Sequence, residues 1–168
     1  KRDSFTNSYP ILLMKKITLT LLLPLIFQVT VLAQNPSKPN EAQEIQQLIQ
    51  NSFDSLFSGY RVELLDHFYT PDFLLLEQGE VWDLDFINSY LKDRSQSSNS
   101  VTRTNRFEFI KTEVFGDRAL VAYHNWATFT KEGTITREVY WLESATAIRT
   151  SDGWRLELLH STRVEPKK

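Results

Sequence analysis

Four long runs of β-type residues fill the last two-fifths of the chain, near residues 102–115, 118–130, 134–149 and 154–164. Only Gly116-Asp117, Lys131-Glu132-Gly133 and Asp152-Gly153 separate them, so each connection is hairpin-sized and the four runs predict an antiparallel meander. What precedes them is helical. Asn40 with Gln43 three residues on resembles a capping box, and Ile45, Leu48, Ile49, Phe53, Leu56 and Phe57 recur at helical spacing until Gly59. A shorter helix follows in RVELLDHFYTP, closed by Pro71, and DFLLLEQGEVW reads as a strand and turn. A third helix in DLDFINSYLKD turns Leu84, Ile87 and Leu91 inward before the polar link RSQSSNS. The expected class is α+β, three N-terminal helices packed on one face of a strongly curved, mostly antiparallel sheet.

The 33 residues at the start are expected to lie outside this domain. Met14, the only methionine, begins MKKITLTLLLPLIFQVTVLAQ: two lysines, an apolar run over 17–32, and small residues up to Ala33. That is the layout of a secretory signal peptide, and the run, interrupted by Pro24 and Gln28, is short for a membrane span. The organisation read from the sequence is leader 1–13, signal 14–33, polar spacer 34–39, domain 40–164 and tail 165–168. It implies export to the periplasm or medium without a lasting membrane anchor.

Charge and cysteine content narrow the partners. The chain has 19 Lys and Arg against 21 Asp and Glu; residues 1–33 hold four of the basic and one of the acidic residues. Residues 34–168 therefore carry 15 basic against 20 acidic groups, a formal charge of −5. With no basic stripe interleaved with aromatics, nucleic acid is not an expected partner. Absence of cysteine excludes a disulfide framework, a thiol nucleophile and a cysteine zinc site. No His-Glu-x-x-His helix or other metal-ligand spacing occurs, and no motif for a cofactor or a nucleophile elbow is present, so neither metal nor cofactor is expected.

The order of elements, HFYTPDFLLL between helix and first strand, and the closing pair WLESATAIRTSDGWRLELLHST together resemble the nuclear transport factor 2-like superfamily, in its SnoaL-like, ketosteroid-isomerase-like branch. The resemblance covers about residues 40–164. It implies a cone-shaped fold enclosing a pocket, often a dimer through the sheet, and no single reaction, since the superfamily includes isomerases, cyclases, dehydratases and plain binders. Ketosteroid-isomerase-like members use a strand carboxylate as base and a tyrosine with a protonated acid as oxyanion donors. Tyr69, Tyr90, Tyr123 and Tyr140 each offer a phenol here, and Glu143 is the carboxylate near the middle of a late strand.

Strand arithmetic relates Glu143 to His160. Facing residues sum to 305 if Asp152-Gly153 is a two-residue turn and to 303 for a four-residue turn; either sets Glu143 on the face of His160 and Ala145 and Ala147 against leucines. A three-residue turn instead sets Ser144 opposite His160. In the first two registers Glu143 and His160 form a catalytic acid–base pair or a buried hydrogen-bonded pair that fixes register. A three-residue loop ending at Gly133 pairs Tyr123 with Trp141, puts both on the Glu143 face and turns His124 away. His67, after Asp66 on a short helix, is expected to be partly exposed. Trp82, Tyr123, Trp141 and Tyr69 are the candidate ligand-lining residues. The functional expectation is an exported domain binding a small, partly hydrophobic molecule in an apolar pocket. The alternatives are a cofactor-independent lyase or isomerase working by general acid–base catalysis, and a dimeric interaction module with a filled pocket. Apolar residues in both phases of 134–149, Tyr140, Leu142 and Ile148 against Val139, Trp141 and Ala145, predict a homodimer through the open face of the sheet.

Overall fold

The computed structural model describes residues 41–97 and 101–165. The proposed leader, signal segment, spacer and Asn40 cap, and most of the tail, lie outside these residues.

Helix α1 (Glu41–Ser52) buries Ile45 and Ile49 and runs straight into a wider turn over Phe53–Ser58. There Gly59 N donates to Asp54 O at 3.0 Å, five residues back, the spacing of a π-helix. Gly59 itself keeps a right-handed backbone, φ −92°, and the left-handed position falls on Tyr60, φ 53°. Glycine is nevertheless required at 59, since a Cβ there would lie 2.9 Å from Ser55 O. A single 3-10 turn (Val62–Leu64) leads into α2 (Leu65–Phe68). The short helix ends earlier than Pro71 suggests, because Tyr69 already has extended backbone and opens strand β1 (Tyr69–Glu77), in which Pro71 lies. A tight turn with both Gln78 (φ 51°) and Gly79 (φ 89°) left-handed returns the chain as β2 (Glu80–Trp82). Asp83 accepts a hydrogen bond from Phe86 N at 2.8 Å and so caps α3 (Leu84–Ser97), which takes in part of the segment expected as a polar link.

Strands β3 (Val101–Phe115), β4 (Arg118–Lys131), β5 (Thr134–Thr150) and β6 (Gly153–Arg163) form the meander. The sheet order is β2-β1-β6-β5-β4-β3, with β1 parallel to β6 and every other pair antiparallel. The α+β architecture expected from the sequence is thus present. Its main core joins Ile45, Ile49 and Leu56 from the helical side to Val121, Ala145, Ala147, Leu156 and Leu159 on the inner sheet face.

Two bulges decide which side chains face that core. The β4–β5 turn has two residues, Glu132 and Gly133, both left-handed, rather than the three expected, and Lys131 pairs with Thr134. Thr136 is then an extra residue on β5, because Thr130 pairs with Ile135 but Phe129 with Arg137. Tyr123 consequently meets Glu143, two residues from its expected partner Trp141, with parity kept. On β6 the first pairs, from Thr150↔Gly153 to Ala147↔Leu156, follow the expected sum of 303. Glu157 is then an extra residue, since the next pair is Thr146↔Leu158. Parity flips there, and Ser144 faces His160 while Glu143 faces Ser161.

Candidate functional site

Glu143 sits on the middle of the inner face, in the row Tyr123, Glu143 and Ser161 across β4, β5 and β6. Its side chain is buried. Asn125 Nδ2 donates to Oε2 at 3.0 Å and Ser161 Oγ donates to Oε1 at 2.9 Å. Tyr123 Oη lies beside the same carboxyl, buried and outside normal hydrogen-bond geometry. Burial pushes the Glu143 carboxyl up to about 7 against the pull of Asn125, Ser161, Tyr123 and the Arg103 charge. Tyr123 is itself pushed well above the usual phenol range, by burial first and then by the neighbouring Glu143.

A cavity of about 80 Å³ opens on this carboxyl, walled by Phe53 and Phe57 of the π-type turn, Leu75, Glu77, Trp82, Tyr90, Arg103, Trp141, Glu143 and Leu159. The π-type turn thus supplies two of its aromatic walls. Burial raises Glu77, against the pull of the nearby Ser161 and Trp141 and of the Arg103 charge. Arg103 is held below the usual guanidinium range by burial, with Glu143 pulling the other way. Its guanidinium carbon lies 5.4 Å from the Trp141 ring centre, 5.6 Å from those of Phe53 and Phe57, and 5.8 Å from that of Phe129. The lining is therefore aromatic with two carboxyls and one guanidinium, more polar than the apolar pocket expected from the sequence.

Of the residues singled out from the sequence, Trp82, Tyr90, Trp141 and Glu143 line this cavity. Tyr123 is buried against Glu143, one layer behind the walls. Tyr69 is also buried, stacked on Phe73 with ring centres 3.9 Å apart, and is not among the walls. His160 is exposed on the opposite face. The proposed Glu143–His160 pair is therefore not formed, because the Glu157 bulge turns His160 outward and brings Ser161 in. His124 points away from Glu143 as expected, with Nδ1 2.6 Å from Tyr140 Oη on the outer face. His67 is exposed.

Four participants escaped the sequence reading: Asn125, Ser161, Arg103 and Glu77. Asn125 was readable, being two residues from Tyr123 on one strand and so on the same face. Arg103 also left a signal, since it is in phase with Phe107 and Phe109 on the inward side of β3. Among the described residues no group of three or more His, Cys, Asp or Glu is placed to hold a metal, and no helix is long and apolar enough to cross a membrane.

No family profile matches the chain, and no curated protein does. Solved structures do. A nuclear transport factor 2-like superfamily protein from Salmonella enterica superposes with a TM-score of 0.62 at 15% identity, over 79% of this chain and 96% of that one. The CamKII hub homology domain from Chlamydamonas reinhardtii gives 0.64 at 18% identity, over 74% and 98%. A ketosteroid isomerase-like protein from Erwinia carotovora atroseptica gives 0.56 at 17% identity, over 76% and 99%. With helices laid on a curved six-stranded sheet and near-complete coverage of each of these neighbours, the chain has the nuclear transport factor 2-like fold.

Proposed function

We propose that the domain binds a small, partly hydrophobic molecule in the cavity bounded by Glu143. The observation that carries this reading is a buried carboxyl, hydrogen-bonded by Asn125 and Ser161, at the end of an aromatic-walled space. A few oriented polar groups among aromatic walls are what a ligand site needs for specificity. About 80 Å³ suits a ligand with the bulk of a few water molecules in its buried part. Trp82 and Trp141 report directly on occupancy, so a binder is expected to change tryptophan emission. At a hundred times its Kd it should also stabilise the fold by about 2.7 kcal/mol. A library of small acids, alcohols and amides that moves neither emission nor Tm would overturn the reading in favour of a filled interaction module.

A second reading, turnover of that molecule by a lyase or isomerase reaction, is favoured by the position of the Glu143 carboxyl at about 7, where both proton donor and acceptor forms are present near neutrality. In this reading His160 has no part. The same binders decide it: product forming with the parent protein and not with Glu143→Gln supports turnover, whereas an unchanged ligand with both leaves binding alone.

The outer sheet face is proposed as the surface for self-association. Leu120 and Leu142 are exposed there, Leu142 next to the stacked Trp126 and Tyr140, and two of the structural neighbours are described as a hub homology domain and an association domain. Sedimentation at micromolar concentration should show a dimer or larger, and Leu142→Glu should return it to monomer. A parent protein that sediments as monomer throughout would sink this surface.

A further inference from the structure

We propose that the ligand is a small organic carboxylate, drawn in through a basic vestibule and held at its charged end by the Arg103 guanidinium. The inference rests on the binding reading above and gives it a ligand class. Arg103 stands between two spaces. It lines the Glu143 cavity and also a second cavity of about 90 Å³, whose other walls are Phe57, Tyr60, Tyr90, Arg94, Phe129, Arg137 and Trp141. That second space shares Tyr60, Arg94, Phe129 and Arg137 with an open cleft of about 400 Å³ that adds Lys131. From solvent inward, the lining thus presents Lys131, Arg94 and Arg137, then Arg103, then Glu77 and Glu143.

Such an order has an electrostatic consequence. The chain as a whole is slightly acidic, yet the vestibule walls carry cations and no carboxylate. A cleft lined by one sign of charge raises the local concentration of the opposite sign and steers it inward. Arg103 is equipped to receive what arrives. Its one hydrogen bond among the described residues runs from Nε to Asn105 Oδ1 at 2.8 Å, and no ion pair engages its Nη nitrogens. Four aromatic rings surround the guanidinium and restrict its orientation. A largely buried guanidinium with two uncommitted nitrogens matches a carboxylate, which accepts two parallel N–H bonds in one plane.

Charge balance argues against a phosphate or sulfate. The inner chamber offers a single guanidinium and two acids, so a dianion would leave charge uncompensated beside Glu77 and Glu143, whereas a monoanion matches Arg103 one to one. Burial keeps both acids easier to protonate than usual, which lessens repulsion of the incoming carboxylate. The remaining wall, Phe53, Leu75, Trp82 and Leu159, suits a short hydrocarbon body rather than further charge.

Calorimetric titration of the full domain with sodium pentanoate, with pentanamide and with sodium sulfate tests the assignment. Pentanoate should bind at least tenfold tighter than either. Arg103→Gln should weaken pentanoate by about a hundredfold, and Arg103→Lys, which keeps charge without the planar fork, should recover only part. Arg137→Gln, on an exposed stretch of β5, should weaken pentanoate several-fold at low salt and hardly at all at about 0.5 M, where the vestibule field is screened. Pentanamide binding as tightly as pentanoate would overturn the carboxylate assignment and leave the small-molecule reading standing. Sulfate matching pentanoate would overturn it as well. Should Arg103→Gln lose its circular dichroism, the amide comparison and Arg137→Gln decide alone. If pentanoate and pentanamide both fail to bind and the tryptophan screen is negative too, this inference and the reading beneath it fall together.

Discussion

Replacing Glu143 with glutamine changes how the stability of the domain depends on pH. The folded carboxyl titrates near 7 and the unfolded one near its ordinary 4.5, so between these values the folded state holds the extra proton. Stability therefore falls as pH rises through this window and levels off above about 7. At about 1.4 kcal/mol per pKa unit, the buried acid costs the parent protein about 3 kcal/mol at pH 8 relative to pH 4.5. Glutamine carries no such charge. It disturbs the Asn125 and Ser161 hydrogen bonds by an amount that does not vary with pH, so the informative quantity is the difference between the two stability curves. Urea unfolding from pH 4.5 to 8 is expected to show the variant gaining on the parent by about 3 kcal/mol across the window, nearly all of it by pH 7.5. Parallel curves would mean that Glu143 stays ionised in the fold, and the account of its burial would be wrong.

The meander was legible because its strands are long and its turns carry glycine where left-handed backbone is needed. Gly133 is such a position, with φ 79°. Helix α1 was legible from its spacing as far as Phe53; the widening at Phe53–Ser58 was not, since a π-type turn places Phe53 and Phe57 on the same periodicity that an α-helix would. What strand arithmetic could not carry was parity across a bulge. Turn length alone sets the register only while both strands stay regular, and β5 and β6 each hold one extra residue, Thr136 and Glu157. At Thr136 the shorter turn and the bulge together restored the expected face for Tyr123, Trp141 and Glu143. At Glu157 nothing compensated, so His160 exchanged places with Ser161. The pattern did hold a trace of this: Leu158-Leu159 places two leucines in adjacent positions, where a regular half-buried strand alternates. Arg103 was overlooked for a different reason, as a charged residue on an inward phase is read from sequence as noise until a cavity is seen around it.

Alanine substitutions along β6 test that exchange with the largest stability losses this domain should show. Leu156 is fully buried opposite Ala147, and Leu159 is nearly so opposite Ala145. Each leucine fills the space left by an alanine across the strand pair, so neither cavity can be closed by a neighbouring side chain moving in. Leu156→Ala and Leu159→Ala should each destabilise the domain by about 3 to 5 kcal/mol, the upper part of the range for buried leucine. Leu158 lies between them on the outer face, half-buried opposite Thr146, and its truncation should cost about 1 kcal/mol or less at concentrations where the protein is monomeric. Exchanging the partners, Ala147→Leu with Leu156→Ala, conserves the volume of the pair and should recover part of the loss. Denaturant unfolding of the four variants gives the pattern large, small, large along 156, 158 and 159, with the exchange in between. An uninterrupted alternation would instead make Leu156 and Leu158 both expensive and Leu159 cheap. That outcome would remove the bulge at Glu157, return His160 to the side of Glu143, and leave Ser161 facing solvent.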